Sequence, residues 1–293
     1  MEFTKSHGAG NDFVLIEDLG DRLRLTPDVV RALCDRHKGV GADGVIRIAP
    51  GGDADFFMDY YNAGGDVAEM CGNGIRCLAK WVADRQLFHG ETMRVLTRAG
   101  VKELTLQFAS NGSVNRVRVD MGRPILERGL IPILGDGADA MHEPLSVDGF
   151  EFDAAAVSMG NPHCLLFVDD LDGVPFERLG PLVEAHSLFP AHVNAEFVQV
   201  LSEDSVRVRV YERGVGETQA CGTGACAVAV GSHLRGYTGR RVAVHLPGGT
   251  LDIEWAEDDR VFMTGPVEEV FHGTLDEQLE HKLLGRREPA STK

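Results

Sequence analysis

The chain has 293 residues, of which 29 are Lys or Arg and 45 are Asp or Glu, giving a net charge of −16. With 43% hydrophobic and 25% charged residues, the composition is that of a globular protein with room for two domains, and it excludes disordered, collagenous and disulfide-scaffold classes. A surface this acidic repels phosphate backbones and anionic lipid, and no basic patch relieves it, so neither nucleic acid nor a membrane is expected as a partner.

The N-terminal stretch MEFTKSHGAGNDF has neither a basic start nor an apolar core, and no run approaches the ~18 apolar residues of a membrane helix. A cytoplasmic protein is expected. Helical periodicity follows over 27–38, then an alternating strand at 56–61, then Cys71-Gly-Asn-Gly opening a helix over 73–86. Strands over 101–108 and 113–121 flank the hairpin signal Asn111-Gly112. Helix 178–187, strand 205–211, helix 222–235 and strand 241–246 complete the periodic segments. The capping-box pattern Thr274-Leu-Asp-Glu277 predicts a short charged helix ending near Gly285 before a polar tail. Six cysteines without metal-type spacing suit a reducing compartment and leave no metal site to expect; Cys34, Cys77, Cys164 and Cys226 read as core.

A repeat runs through this order. GAGNDFVLI (8–16) lies over SMGNPHCLL (158–166), Tyr61-Asn62 over Tyr211-Glu212, and CGNGIRC (71–77) over CGTGACA (221–227), each pair 150 positions apart. Three segments at one offset imply two homologous halves. The expected domains are 1–120 with 266–276, carrying Cys71; 121–265, carrying Cys221; and a charged extension, 277–293.

The glycines after each cysteine are expected to let the chain bend sharply out of a strand and to leave backbone N–H groups at a helix start. Such N–H groups and the helix dipole favour an anion such as a carboxylate. The same field favours thiolate over thiol and is expected to bring the cysteine toward neutrality as a base. Two thiols at one anion site make a two-base device that removes a proton from one face of a carbon and returns one to the other.

In combination, Tyr61-Asn62-Ala63 before Cys71-Gly-Asn-Gly-Ile-Arg-Cys77, with His7-Gly-Ala-Gly-Asn11-Asp-Phe13, Gly160-Asn161-Pro-His163 and Glu212-Arg213…Cys221-Gly-Thr-Gly224, resemble the diaminopimelate epimerases over Met1 to about Gly273. The resemblance implies an α/β (α+β) fold of two pseudo-symmetric domains, each a mixed sheet wrapped around a central helix, with the site in the cleft between them. It implies a cofactor-independent enzyme interconverting LL- and meso-2,6-diaminoheptanedioate toward lysine and peptidoglycan. By the same resemblance, Cys71 and Cys221 are the acid–base pair, and Gly72, Asn73, Gly222 and Thr223 hold the reacting carboxylate. Asn11, Asn62, Asn161, Asn194, Glu212 and Arg213 hold the amino groups and the far carboxylate, His163 and Glu212 tune the thiols, and Phe271 sits at a homodimer interface with Val267 and Val270 near it.

The chain departs from the family pattern at two places. Asn62-Ala63-Gly64-Gly65-Asp66 stands where Asn-Ala-Asp-Gly-Ser is usual, which is expected to loosen the loop before Cys71, and Gly44 stands where some members carry Gln. The amide at the equivalent repeat position is Asn194. Three competing readings are weaker. A proline or hydroxyproline epimerase would leave Glu212-Arg213 without a second charged group to meet, a zinc module lacks four ligands, and a pyridoxal-phosphate racemase lacks a lysine anchor and phosphate loop.

Overall fold

The computed structural model describes residues 1–277 and 280. The expected charged helix from Thr274 to Gly285 and the polar tail therefore fall largely outside the described residues. Two compact units emerge, Met1–Val117 with the chain from Val267 onward, and Arg118–Pro266.

The first unit contains β1 (Glu2–Gly8), β2 (Asn11–Glu17), α1 (Pro27–Cys34), β3 (Gly44–Pro50), β4 (Phe56–Asn62), α2 (Gly72–Asp84), β5 (Thr92–Thr97) and β6 (Gly100–Phe108). Strand β7 (Val114–Gly122) follows a turn in which Ala109 N–H donates to Ser113 O at 2.8 Å and Gly112 takes the left-handed φ of +82°. The second unit contains β8 (Glu143–Val147), β9 (Phe150–Ser158), β10 (Pro162–Phe167), α3 (Phe176–Glu184), β11 (Asn194–Ser202), β12 (Ser205–Glu212), β13 (Gly216–Thr218), α4 (Gly222–Leu234), β14 (Arg241–Leu246), β15 (Gly249–Trp255) and β16 (Val261–Pro266). Strand β17 (Glu268–Thr274) returns to the first unit.

Each unit is a mixed sheet. In the first, β17, β1 and β2 pair antiparallel, β2 and β3 parallel, β3 and β4 antiparallel, β4 and β5 parallel, and β5 and β6 antiparallel. In the second, the same alternation runs from β9 through β10, β11, β12 and β14 to β15, with β8 and β16 added at the ends. The register repeats residue for residue: Phe13 faces Gly44 and Val45 faces Tyr61 in one unit, while His163 faces Asn194 and Ala195 faces Tyr211 in the other.

A helix fills each sheet. Helix α4 is buried at nearly every residue from Gly222 to Ser232 and is apolar on all sides, as a helix enclosed by its own sheet must be. Helix α2 is equally buried but carries charge, which is paired internally. Lys80 Nζ donates to Asp84 Oδ2, Ser113 Oγ and Val114 O at 2.6–2.8 Å, Arg76 Nη1 donates to Gly72 O at 3.1 Å, and Trp81 Nε1 donates to Thr4 Oγ1 at 2.9 Å. A buried charge persists only with such partners.

Two local expectations need revision. The helix expected over 27–38 stops at Cys34, because Asp35 Oδ1 accepts from the N–H groups of His37 and Lys38 and turns the chain before a third helical turn can form. The glycines after Cys71 and Cys221 do not serve the bend. Both cysteines are extended (φ −139° and −113°), and none of Gly72, Gly74, Gly222 and Gly224 has a positive φ. Gly74 and Gly224 serve close packing instead: a Cβ on Gly74 would lie 2.7 Å from Ile46 Cδ1 and 3.0 Å from Met58 Cε, and one on Gly224 would lie 2.8 Å from Glu196 Oε1. Gly74→Ala is accordingly expected to destabilise the fold by about 1–3 kcal/mol, less the helix propensity that Ala gains. Urea unfolding measures it, and a midpoint equal to or above that of the parent would show that the core around Gly74 has room to spare.

Candidate active site

In the first unit Cys71 is the extended residue just before α2, and the first hydrogen bond of the helix runs from Ile75 N–H to Cys71 O at 2.9 Å. The N–H groups of Gly72, Asn73 and Gly74 therefore precede the helical ladder, at the positive end of the helix dipole. Asn11, at the start of β2, reaches this place. Its Oδ1 lies 3.7 Å from Cys71 Sγ and accepts from Asn73 Nδ2 at 3.2 Å, while its Nδ2 donates to Asp43 Oδ2 at 2.7 Å. Asp43 is held in turn by Arg36. Burial alone would raise the neighbouring Asp12 carboxyl, but hydrogen bonds from Arg36 and Lys5 outweigh it and hold that group well below the usual carboxylate range. An Asn11, Cys71 and Asn73 cluster thus rests on an ionic support whose key member, Asp43, sequence reasoning missed; an Asp between alanine and glycine carries no pattern that marks it.

Asn62 behaves differently. Its Oδ1 accepts from Asp66 N–H at 3.1 Å, and its own N–H donates to Asp66 O at 3.0 Å, so the Gly64-Gly65-Asp66 variant closes a tight turn rather than loosening the loop. Gly65, at φ +90°, is required there, since a Cβ would meet Pro27 O at 2.6 Å. The structure also accounts for Gly44: a Cβ would strike Tyr61 O at 2.6 Å and the Tyr60 ring at 2.7 Å, leaving no space for a side chain.

In the second unit Cys221 caps α4, with Ala225 N–H donating to its carbonyl at 2.9 Å. Its Sγ accepts from Gly224 N–H at 3.4 Å and meets Thr223 Oγ1 at 3.5 Å. Contrary to the expected fall toward neutrality, the Cys221 thiol is pushed well up by burial and by the carboxylates of Glu212 and Glu196, against which the Thr223 and Gly224 donors work. The helix start, worth typically 0.3–1 kcal/mol, does not outweigh desolvation together with two carboxylates.

The remaining residues form three small groups. Asn194 spends its Oδ1 on Arg213 N–H at 3.0 Å and its Nδ2 on Pro162 O at 2.8 Å, tying the end of β12 to β10. The exposed Arg213 guanidinium rests on Ala191 O at 3.2 Å, and Glu212 Oε1 accepts from Thr218 Oγ1 at 2.5 Å. Buried His163 touches Asn161 Oδ1 through Nε2 at 3.1 Å and Glu196 Oε1 through Nδ1 at 2.6 Å. Glu196 was also missed by sequence reasoning, although a lone acid inside the apolar run Ala195-Glu-Phe-Val198 was available as a signal. Val267, read as an interface residue, is instead 2% exposed, whereas Val270 and Phe271 are exposed and the Phe271 ring meets Phe3 edge-on at 6.0 Å.

The family model for diaminopimelate epimerase matches residues 3–127 and 155–270. The chain belongs to the diaminopimelate epimerase family. It is 50% identical over 275 residues to the diaminopimelate epimerase of Pelotomaculum thermopropionicum, covering 93% of this chain and 98% of that one. It is 43% identical over 277 residues to that of Methanococcus maripaludis, covering 94% and 100%. A hydroxyproline epimerase from Agrobacterium vitis shares the fold at a TM-score of 0.67 and 16% identity, covering 94% of this chain and 90% of that one. A PhzF-family phenazine biosynthesis protein from Bacillus anthracis does so at 0.68 and 15%, covering 94% and 99%. No helix among the described residues is long and apolar enough to cross a membrane.

The exposure of the thiols sets an order of reactivity. Cys71 is partly exposed, while Cys221 is 5% exposed with a raised pKa and the other four cysteines are buried. Brief treatment of the substrate-free protein with iodoacetamide near pH 8 is expected to label Cys71 first, with Cys34, Cys77, Cys164 and Cys226 last. Peptide mass spectrometry reads the order, and labelling of Cys221 ahead of Cys71 would contradict the burial and charge assigned to it.

Proposed function

We propose that the chain is a cofactor-independent epimerase that interconverts LL- and meso-2,6-diaminoheptanedioate with Cys71 and Cys221 as its two acid–base groups. The observation that carries this reading is the duplicated helix start: a cysteine in extended conformation caps the buried central helix at the same repeat position in each half. The reacting α-carboxylate sits against the N–H groups of Gly72 and Asn73 and of Gly222 and Thr223, where the helix dipoles stabilise its charge as the α-proton leaves. One thiolate takes that proton while the thiol of the other half delivers one to the opposite face. Asn11, Asn62, Asn161 and Asn194, with Glu212 and Arg213, hold the amino groups and the far carboxylate. His163 and Glu212 set the protonation of the thiols. That charged far end favours the diamino diacid over a cyclic imino acid, which would leave Arg213 and Glu212 without a partner.

The raised Cys221 pKa in the substrate-free chain fits a thiol that is held as the acid until the substrate's charges enter. Cys71→Ala and Cys221→Ala are each expected to abolish inversion, with loss of at least about 10³-fold in kcat, as for removal of an essential acid or base. In heavy water, each variant should wash deuterium into one stereoisomer only, and the preferred isomer should swap between the two. Substantial inversion by either variant would refute the two-thiol assignment.

We further propose that the protein acts as a homodimer through the exposed Val270 and Phe271 on β17. Aromatic anchors contribute disproportionately to such interfaces. Phe271→Ala is expected to weaken the dimer at least tenfold in sedimentation experiments, and a parent protein that sediments as a monomer at micromolar concentration would overturn it.

A further inference from the structure

The two halves agree at nearly every element, yet they part at the core facing each cysteine-capped helix. In the first half, Phe13 and Ile46 pack on Gly74. The residues 150 positions later are His163 and Glu196, both fully buried, with Glu196 Oε1 against Gly224. An apolar pair in one half is thus a hydrogen-bonded acid–imidazole pair in the other.

The hydrogen positions in this pair follow from its contacts. Asn161 Oδ1 only accepts, so His163 Nε2, 3.1 Å away, carries a hydrogen. The 2.6 Å contact between Nδ1 and Glu196 Oε1 must then hold one proton, either on the carboxyl with a neutral imidazole or on an imidazolium facing a carboxylate. Both forms have zero net charge, which suits a site with no exposure. Glu196 Oε2 has no hydrogen-bond partner among the described residues, so a lasting carboxylate is poorly solvated there. Burial pushes the Glu196 carboxyl up to about 7, with Glu212 pushing the same way and His163 opposing. The other titratable groups coupled to the pair are Glu212 and two thiols, Cys221 and Cys164, both raised by Glu196. None of these supplies a positive charge that would favour loss of the proton.

The equivalent asparagines are therefore pinned in opposite senses. Asn11 is held through its Nδ2 by Asp43 and turns its oxygen toward Cys71, whereas Asn161 is held through its oxygen by His163. We propose that Glu196 is a positioning residue: by sharing one proton with His163 it keeps Nε2 an N–H donor, and so fixes Asn161 with its amide N–H2 turned outward as a donor. One half then offers substrate a carbonyl acceptor and the other an amide donor, which suits a molecule that presents an ammonium group and a carboxylate from the same carbon. This polarity rests on the epimerase reading, whereas the tautomer of His163 does not.

If the shared proton is lost as pH rises, the remaining imidazole hydrogen moves to Nδ1, Nε2 becomes an acceptor opposite Asn161 Oδ1, and the amide must turn. Nitrogen-15 NMR of the substrate-free protein, with His163 assigned by His163→Gln, is expected to show a protonated Nε2 on the acid side of neutrality and conversion as pH rises through about 7 and above. An Nε2 that is unprotonated on the acid side of neutrality, or that keeps its hydrogen throughout the alkaline range, would overturn the proposal whatever the protein's activity. In steady-state epimerisation, Glu196→Ile, which installs the residue of the first half, should raise KM about tenfold with a smaller effect on kcat. Glu196→Gln, whose amide can donate to Nδ1, should restore most of that loss and remove the alkaline rise in KM. Equal KM values and pH profiles in the parent and in a folded Glu196→Ile would sink it; absence of turnover in the parent would refute the epimerase reading and leave the NMR result standing.

Discussion

A helix that begins inside a protein carries N–H groups that its own ladder cannot satisfy, and the surrounding chain must answer them. Both central helices here begin in that way, at Gly72 and at Gly222, with sheet residues packed against their third positions. The strand–cysteine–glycine entry, Asn11 beside Cys71 and Asn73, and the bare glycines at 74 and 224 that let sheet residues pack close all belong to these helix starts. A buried helix start is stable only if something polar or anionic completes it, and that requirement makes it a ready carboxylate site.

Duplication supplies the second layer. The same alternation of parallel and antiparallel pairs builds both sheets, and the register places position 44 opposite 13 and 62 just as it places 194 opposite 163. Within that shared frame the supports diverge. A partly exposed ionic group of Asp12, Arg36 and Asp43 steadies Asn11, while a buried His163 and Glu196 pair steadies Asn161. The first kind of support is open to solvent at Arg36 and Asp43, where the charges are screened. The second is enclosed, so its protonation state is tied to the geometry of the residues it holds.

The long periodic elements were legible because their residues have one buried and one exposed face; 101–108, 205–211 and 241–246 alternate, and they form strands where alternation predicts them. Strands such as β3 and β10 were not, since Gly44–Ala49 and Pro162–Leu166 are buried throughout and show no period of two. The end of α1 escaped for another reason: Asp35 competes through its side chain for the N–H groups that a longer helix would need, and no pattern of apolar spacing reports that competition.

The sequence by itself determined the duplicated architecture, because a fixed offset of 150 residues survives in the identities of asparagines, tyrosines and Cys-Gly-x-Gly turns whatever the fold does with them. It also determined the family, through motifs that recur in combination. Tertiary structure alone decided what those residues meet. That Gly44 has no room for a side chain, that Asn194 binds backbone on both sides, and that two carboxylates and burial raise the Cys221 thiol all depend on atoms brought together from distant positions. Spacing along a chain sets which backbone groups can start a helix; the charge and solvent around the residue at that start are set by neighbours that only folding brings near.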